Sequence, residues 1–382
     1  MVMRLRQYPQ TAFGEARRTG GRHGYVAYFP APIPRAIELG PTTIALLADA
    51  EAALGRLAGI GDLLPNPHLL IRPYVVREAV FSTRIEGTRA SMTDVFELEA
   101  GGGEPNPDLE EVLGYVEALT WGLEQSTLPL SARLMREMHR RLMAGVRGRD
   151  RMPGELRTSQ NWIGAPGSTI ETAEFVPPPP EEIANLLGDW ESFAHADGAL
   201  PLLVQNALLH YQLETIHPFL DGNGRIGRLL IVFMLVDRGR LPAPLLDVSS
   251  YFERDRESYY AALRGVSESG DAAAWIDLFL RAIQTQATEA VARARRLFEL
   301  REQYRQRAAS LPSRNAIRLV DLACEAPVLT TRLVTERLQV TRPTAGSLLR
   351  QLEGEGLLAR ASAGDRGQRR YVAREILAAL TD

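Results

Sequence analysis

The residues best suited to chemistry lie together in one short stretch, His217 to Arg228. It reads His-Pro-Phe-Leu-Asp-Gly-Asn-Gly-Arg-Ile-Gly-Arg. His217 belongs to a residue type with a reference pKa of about 6.5, so it can accept a proton near neutral pH. Asp221 offers a hard carboxylate oxygen of the kind that Mg²⁺ prefers. The stretch therefore combines a candidate general base with a candidate metal ligand.

The second half of the stretch predicts a binding site for an anion. Residues 222–224 form a Gly-Asn-Gly turn before an apolar run, 229–236, whose length and composition predict a helix. The first turn of a helix leaves backbone N–H groups unpaired and carries the positive end of the dipole, and glycines there let a ligand approach closely. Arg225 and Arg228, three residues apart, can bind phosphate oxygens in a bidentate manner. Phosphate is therefore the expected ligand.

The stretch resembles the signature of the Fic family, His-Pro-Phe-x-Asp/Glu-Gly-Asn-Gly/Lys-Arg-x-x-Arg, at every fixed position. Proteins of this family usually transfer AMP from ATP to a Ser, Thr or Tyr hydroxyl of a target protein. The resemblance implies a mainly α-helical Fic core that binds ATP and Mg²⁺.

The resemblance also implies roles for single residues. His217 would deprotonate the target hydroxyl, Asp221 would hold Mg²⁺, and Phe219 would be a buried anchor of the loop. The α- and β-phosphates would lie on the loop and the γ-phosphate on the last arginine. These phosphate contacts are Gly222, Asn223, Gly224, Arg225 and Arg228.

A second segment, about 71–87, predicts an amphipathic helix that ends in Ser-Thr-Arg-Ile-Glu-Gly. Taken alone, it is a helix closed by Gly87, with Glu86 in solvent. Together with the motif above, it resembles the inhibitory helix of Fic proteins, Ser/Thr-x-x-x-Glu-Gly/Asn. The resemblance implies that Glu86 pairs with Arg228 and blocks the γ-phosphate site, while Ser82 holds the helix end or the Glu side chain in place.

Two further segments resemble parts of the family site. Residues 158–177 predict a β-hairpin, which in the family is a flap that pairs with the backbone of the target. A plain surface hairpin is the alternative. Tyr259 and Tyr260 resemble the tyrosines that border the adenine ring, although aromatic pairs are also common in cores. Ser267 stands where many relatives have Asn, and its hydroxyl could still bond the base.

Residues 312–382 have a pattern of their own. Helix, helix, turn and helix precede a hairpin, an order that predicts the winged helix-turn-helix domain that many Fic proteins of this architecture carry. The polar and basic residues of the third helix and the arginines of the wing are its candidate DNA contacts. They are Thr341, Arg342, Thr344, Arg366, Arg369 and Arg370. Docking of a protein, or dimerisation, is the alternative, because the domain is only modestly basic.

Composition limits the class of protein. With 382 residues, a net charge of −3, 45% hydrophobic and 24% charged residues, the chain is expected to be soluble, with two or three domains and no global basic field. The single cysteine, Cys324, excludes an internal disulfide and has apolar neighbours, which predicts a core position in a reducing cytoplasm. No apolar run approaches the roughly 18 residues of a membrane span. We therefore expect a cytoplasmic protein.

These patterns divide the chain into an N-terminal region with the inhibitory helix (1–108), a Fic catalytic domain (109–300) and the winged helix (312–382). The sequence predicts an autoinhibited protein adenylyltransferase whose partners are ATP and an unidentified protein, which includes a second copy of itself. One alternative is a transcriptional regulator with a nucleotide-sensing Fic domain. The other is a Fic enzyme that transfers phosphate or phosphocholine, which the two retained motif glycines disfavour.

Overall fold

The computed structural model describes most of the chain and is mainly α-helical, as predicted. The described residues are 3–20, 24–63, 68–102, 104–125, 128–145, 147, 149–196, 198, 200–361 and 369–381. The helices are α1 (Pro41–Leu63), α2 (His68–Ile85), α3 (Met92–Glu99), α4 (Pro107–Glu124), α5 (Ala132–Leu142), α6 (Ile183–Ala194), α7 (Leu202–Ile216), α8 (Asn223–Asp237), α9 (Ser249–Arg254), α10 (Arg256–Ser269), α11 (Ala273–Ala308), α12 (Asn315–Glu325), α13 (Thr331–Leu338), α14 (Arg342–Gly354) and α15 (Arg374–Thr381). The strands are β1 (Gly14–Arg18), β2 (Val26–Pro30), β3 (Val328–Thr330), β4 (Ala359–Ala361) and β5 (Arg370–Val372).

Two helices form the centre of the core and flank the motif loop. Thirteen of the fifteen residues of α7 and twelve of the fifteen of α8 are buried. A helix buried on all sides must be surrounded by other elements, and α7 packs against α6, α8, α11 and β2. The loop between α7 and α8 is therefore fixed at both ends by helices that cannot shift without disturbing the core.

Polar residues before several helices explain where those helices begin. Ser131, the N-cap of α5, accepts the N–H of Leu134 through its side-chain oxygen at 3.3 Å. Helix α3 was not predicted, although Ser91 and Asp94 form a reciprocal capping box at its start. It has only 8 residues, too few for the periodicity of apolar positions to identify a helix.

The predicted hairpin at 158–177 is reduced to one antiparallel bridge, between Ile163 and Phe175. The backbone around this bridge pairs instead with the N-terminal region. The N–H of Tyr28 in β2 donates to the carbonyl of Val176 at 2.9 Å, and the N–H of Met3 donates to the carbonyl of Ala173 at 2.8 Å. Because these groups bond to other segments, the two arms do not form a longer ladder with each other.

The C-terminal part follows the long helix α11 and has a helix-strand-helix-helix-strand-strand order before its last helix. Its three strands form an antiparallel sheet in the order β3-β5-β4. Cys324 is buried in α12, as predicted. The tip of the predicted wing, which includes Arg366, lies outside the described residues. Among the described helices, none has the length and apolar character to cross a membrane.

Candidate active site

The motif loop begins and ends at residues with left-handed backbone conformations. His217 terminates α7 with φ 50° and ψ 59°, a conformation that costs a non-glycine residue about 1–2 kcal/mol. Gly222 precedes α8 with φ 78°, and a Cβ added there would lie 2.7 Å from Met143 Sδ. The position of Gly222 therefore requires glycine on two grounds, whereas the conformation of His217 must be held by its surroundings.

Arg157, which the sequence did not single out, holds His217 in that conformation. The buried guanidinium donates through Nε to the carbonyl of His217 at 2.8 Å, and through Nη2 to the carbonyls of Ile216 at 3.3 Å and Pro178 at 2.6 Å. The backbone N–H of Arg157 donates to the carbonyl of Pro218 at 2.9 Å. Burial lowers the pKa of Arg157 to about 10, so the side chain stays charged at neutral pH. A single Arg in an irregular stretch gave no signal of this role.

The imidazole of His217 is positioned to act as a base. Nδ1 lies 3.2 Å from the backbone carbonyl of Glu214, so the neutral ring donates from Nδ1 and leaves Nε2 free to accept a proton. Burial lowers the pKa of His217 to about 4, with the charge of Arg157 acting in the same direction. The ring is therefore neutral at pH 7.

Asn223 shapes the loop through its side chain. Its Oδ1 accepts the N–H of Phe219 at 2.9 Å and its Nδ2 donates to the carbonyl of the same residue at 2.8 Å. Phe219 is buried and stacks on His139, with ring centroids 3.7 Å apart. His139 Nε2 in turn donates to the carbonyl of Asp221 at 2.9 Å, because its Nδ1 accepts the N–H of Gly154. The Asn223 side chain thus bonds to the loop backbone, and its contact with the phosphates stays a prediction.

The N-terminus of α8 lies against a carboxylate from another part of the chain. The guanidinium of Arg228 is buried and donates through Nη2 to Glu86 Oε1 at 2.6 Å. It also donates through Nε to Ser82 Oγ and through Nη2 to the Ser82 carbonyl, both at 3.0 Å. A Cβ added at Gly224 would overlap Glu86 Oε1. The anion site that the sequence predicts is therefore filled by the carboxylate of Glu86.

Glu86 is ionised at neutral pH although it lies in a largely buried site. Burial alone would raise its pKa, but the charge and the hydrogen bond of Arg228 hold the pKa below its usual value. The Glu86 side chain is still 34% exposed, so it lies at the mouth of the site. Gly87 follows with φ 101°, a conformation that suits glycine and turns the chain away from α2.

Asp221 is the residue that could hold a metal ion. Its side chain is 46% exposed, while Oδ1 accepts from the N–H of Gly222 at 2.6 Å and from Arg225 Nη2 at 3.2 Å. Arg225 is itself paired with Glu111 at 2.7 Å. No cluster of three or more His, Cys, Asp or Glu side chains occurs in the described part of the chain. One carboxylate fits Mg²⁺, which is commonly held by one or two carboxylates together with substrate phosphates.

A second acidic residue, Glu214, lies near Arg228 and was not predicted. Its side chain is 13% exposed, and its Oε1 atom is buried without a hydrogen-bond partner among the described residues. Burial raises the pKa of Glu214 to about 7, against the opposing charge of Arg228. The site therefore contains a carboxyl group that titrates near neutral pH.

The two predicted adenine contacts have adjacent rings, with centroids 5.0 Å apart, but differ in exposure. Tyr259 is buried, stacks on Phe252 at 4.5 Å between centroids and bonds to His210 Nε2 through its hydroxyl at 2.8 Å. Its ring packs in a buried aromatic cluster, and its contact with the adenine ring stays a prediction. Tyr260 is 43% exposed and remains a candidate. Ser267 is buried and bonds to a tyrosine hydroxyl, so it also faces the core.

Among the described residues, the predicted DNA contacts differ in exposure and in their partners. Arg370 donates to Glu97 at 2.7 Å in a contact between parts of the chain, and its assignment to a DNA phosphate stays a prediction. Arg342 and Arg369 are exposed. Thr341 caps α14 through the N–H of Thr344 at 3.4 Å, so this hydroxyl is already used locally.

The middle of the chain matches two family models. Residues 44–124 match the model described as Fic/DOC family N-terminal, and residues 129–235 match the model described as Fic/DOC family. A probable protein adenylyltransferase of Aquifex aeolicus is 38% identical over 96 residues, which are 25% of this chain and 28% of that protein. Protein adenylyltransferase Fic of Drosophila grimshawi is 31% identical over 196 residues, 49% of this chain and 37% of that protein. The chain therefore covers well under half of these curated relatives.

Solved structures share the fold. A Fic family protein from Desulfovibrio desulfuricans G20 has a TM-score of 0.58 at 21% identity, over 88% of this chain and 97% of that chain. Fic-1 of C. elegans has a TM-score of 0.53 at 20% identity, over 68% and 74%. At such identities the likeness concerns the fold alone.

Proposed function

Because the chain belongs to the Fic/DOC family, we propose that it is a protein adenylyltransferase, which transfers AMP from ATP to a Ser, Thr or Tyr hydroxyl of a protein. The observation that carries the proposal is the buried Arg228 at the N-terminus of α8, bound to the carboxylate of Glu86. A site that binds one anion through a guanidinium and a helix N-terminus suits a phosphate equally well.

In the proposed reaction, the triphosphate of ATP lies on the first turn of α8, with its γ-phosphate at Arg228. Asp221 would hold Mg²⁺, which neutralises phosphate charge when it is bound. Nε2 of His217 takes the proton of the target hydroxyl, and the hydroxyl oxygen bonds to the α-phosphorus. The bond from that phosphorus to the bridging oxygen breaks, and pyrophosphate leaves. The residues need only position and stabilise these groups.

We further propose that the enzyme is autoinhibited through Glu86. The carboxylate competes with the γ-phosphate for Arg228, so ATP cannot adopt the productive position while the pair is intact. The two hydrogen bonds from Arg228 to Ser82 support this proposal, because they keep the guanidinium on the inhibitory side.

The described order of helices and strands from 315 to 381 supports the proposal that this part is a winged helix. The winged helix carries no DNA-binding proposal, since Arg370 is already paired with Glu97.

The group transferred is tested with ATP labelled at different phosphates. The Glu86→Gly variant, incubated with Mg²⁺ and a cell lysate, is expected to transfer label from the α-position but not from the γ-position. A phosphotransferase would give the reverse pattern. Mass spectrometry of the labelled protein then identifies the modified side chain.

Arg157→Met is expected to lower kcat for AMP transfer by about 100-fold, the scale of a misplaced catalytic group, with little change in ATP affinity. The reason is that Arg157 bonds the carbonyls around His217, whereas the phosphate site lies on α8. Arg157→Lys, which keeps one donor, should recover part of the loss. Equal loss of ATP binding and kcat would instead indicate a general structural role.

In Glu86→Gly, protonation of His217 is expected to cause no decrease in kcat/KM between pH 8 and about 5. The pKa of His217 is lowered to about 4 by burial, so the base form persists on acidification and is lost only as the pH falls through that value. A step near pH 7 that disappears in Glu214→Gln belongs to Glu214. A step near pH 6.5 that survives this substitution would contradict the assignment.

A further inference from the structure

We propose that the C-terminal unit (residues 312–361 and 369–381) holds the inhibitory segment (residues 82–87) in its closed position, and so sets the basal activity of the enzyme. The proposal rests on the proposed function and extends it from a single ion pair to a second part of the chain. It stands on contacts that the C-terminal unit makes on both sides of Glu86.

The first contact lies before the inhibitory segment, on α2. Arg77 is buried and donates through Nη1 to the carbonyls of Leu380 at 2.9 Å and Thr381 at 3.0 Å. These are the free carbonyls at the end of α15, where a cation is favoured by the helix dipole. Arg77 Nε also donates to Asp247 at 2.6 Å, and α12 packs against α2. The end of the chain is therefore bound to the inhibitory helix.

The second contact lies after the inhibitory segment, at the end of α3. Arg370 in β5 pairs with Glu97 at 2.7 Å, and the side chains are only 12% and 29% exposed. The hydroxyl of Thr330 in β3 donates to the carbonyl of Ala100 at 2.8 Å, in a buried position. The sheet of the C-terminal unit thus fixes the helix that follows Glu86.

The two contacts differ in how strongly the helix they hold, α2 or α3, depends on the C-terminal unit for its position. Before the inhibitory segment, α2 is also bound to the core, because Glu78 accepts from Tyr115 at 2.9 Å and from the N–H of Ser249 at 3.0 Å. After it, the chain turns at Gly87 with φ 101° and enters α3, which has 8 residues. A helix this short is not stable in isolation, so its position depends on packing. If the C-terminal unit released α3, the chain between Gly87 and α3 would be less constrained. The contact of Glu86 with Arg228 would therefore weaken.

The test breaks the second contact in the full chain. Glu97→Arg places two like charges together and is expected to raise basal AMP transfer at least about fivefold, the lower end of usual coupling between sites. Arg370→Glu should do the same. The double charge reversal Glu97→Arg/Arg370→Glu should return transfer to near the wild-type rate.

A matched control breaks an ion pair inside the C-terminal unit. Glu325 accepts from Arg337 at 2.6 Å, and Glu325→Arg should leave basal transfer unchanged. Hydrogen exchange of residues 82–90 should be faster in Glu97→Arg than in the wild type. Thr330→Val, which loses the bond to Ala100 together with the cap that the same hydroxyl gives α13 at the N–H of Leu333, gives a second route if the charge reversal impairs folding.

The outcomes separate this proposal from the function it rests on. If Glu86→Gly transfers no AMP, the proposed function fails. If Glu86→Gly is active while Glu97→Arg and Thr330→Val show wild-type transfer and wild-type exchange of the inhibitory segment, only the role of the C-terminal unit is overturned. When combined with Glu86→Gly, Glu97→Arg should add no further activity, because the Glu86 carboxylate that Glu97→Arg would release is already absent.

Discussion

Glu86→Gly is expected to raise the rate of AMP transfer by roughly 10- to 100-fold, which corresponds to about 1.5–3 kcal/mol for a hydrogen bond to a charged group. In the wild type, Arg228 Nη2 is bound to Glu86 Oε1 at 2.6 Å, so the γ-phosphate must displace a carboxylate before ATP lies productively. The partial exposure of Glu86 keeps the expected gain below that for a fully buried pair. Incorporation of α-labelled AMP measures it directly.

The same change should alter nucleotide selectivity. Because the wild-type protein has a carboxylate at the γ-phosphate site, it should bind ATP and ADP with similar affinity, whereas Glu86→Gly should prefer ATP. Glu86→Gln keeps the side-chain volume without the charge and should be intermediate in rate. Glu15→Gly, which removes a surface carboxylate paired with Arg17, is the matched control. Equal labelling by Glu86→Gly and the wild type would contradict the proposed inhibitory role of Glu86.

The sequence predicted the positions of the long helices because their apolar periodicity and caps are local features. Helix α2 follows from the amphipathic pattern at about 71–87, and α8 follows from the length and composition of the apolar run 229–236. The meeting of Glu86 with Arg228 does not, since the two residues are 142 positions apart. That contact was predicted from the family resemblance alone.

Two predicted contact residues have structural partners that the sequence pattern did not reveal. Tyr259 and Tyr260 have ring centroids 5.0 Å apart, but the ring of Tyr259 is buried in the aromatic cluster while Tyr260 is 43% exposed. Arg370 was predicted to contact a DNA phosphate because it is an arginine on the predicted wing. Its partner Glu97 lies 273 residues away, and no local pattern encodes such a contact.

Arg157 and His139 were missed for a related reason. Both act on backbone carbonyls of the motif loop, at His217 and Asp221. Every residue type has a backbone carbonyl, so the spacing of residue types cannot reveal which side chain donates to a given carbonyl. The left-handed conformation of His217 is the feature that calls for such a donor, and it is visible only in the fold.

His217→Asn in the Glu86→Gly background is expected to lower AMP transfer by about 10²- to 10⁴-fold, the usual contribution of a general base. Asn tolerates the left-handed φ of 50° better than Ala does, so the loop should keep its shape. ATP affinity should persist, because among the described residues the imidazole bonds only to the carbonyl of Glu214, in its own helix. Loss of transfer with retained binding of ATP therefore assigns the proton to His217.

The matched control is His195→Ala, because His195 is an exposed histidine at the end of α6. It should leave transfer in the same background unchanged. Transfer by His217→Asn at the rate of its parent would remove His217 from the role of base. In that case, Glu214→Gln is the next variant to measure. Glu214 lies near Arg228, and burial raises the pKa of its carboxyl group to about 7, which also suits proton transfer. The outcomes for the two residues differ, since the pKa of His217 lies near 4 and only Glu214 would give a pH step close to neutrality.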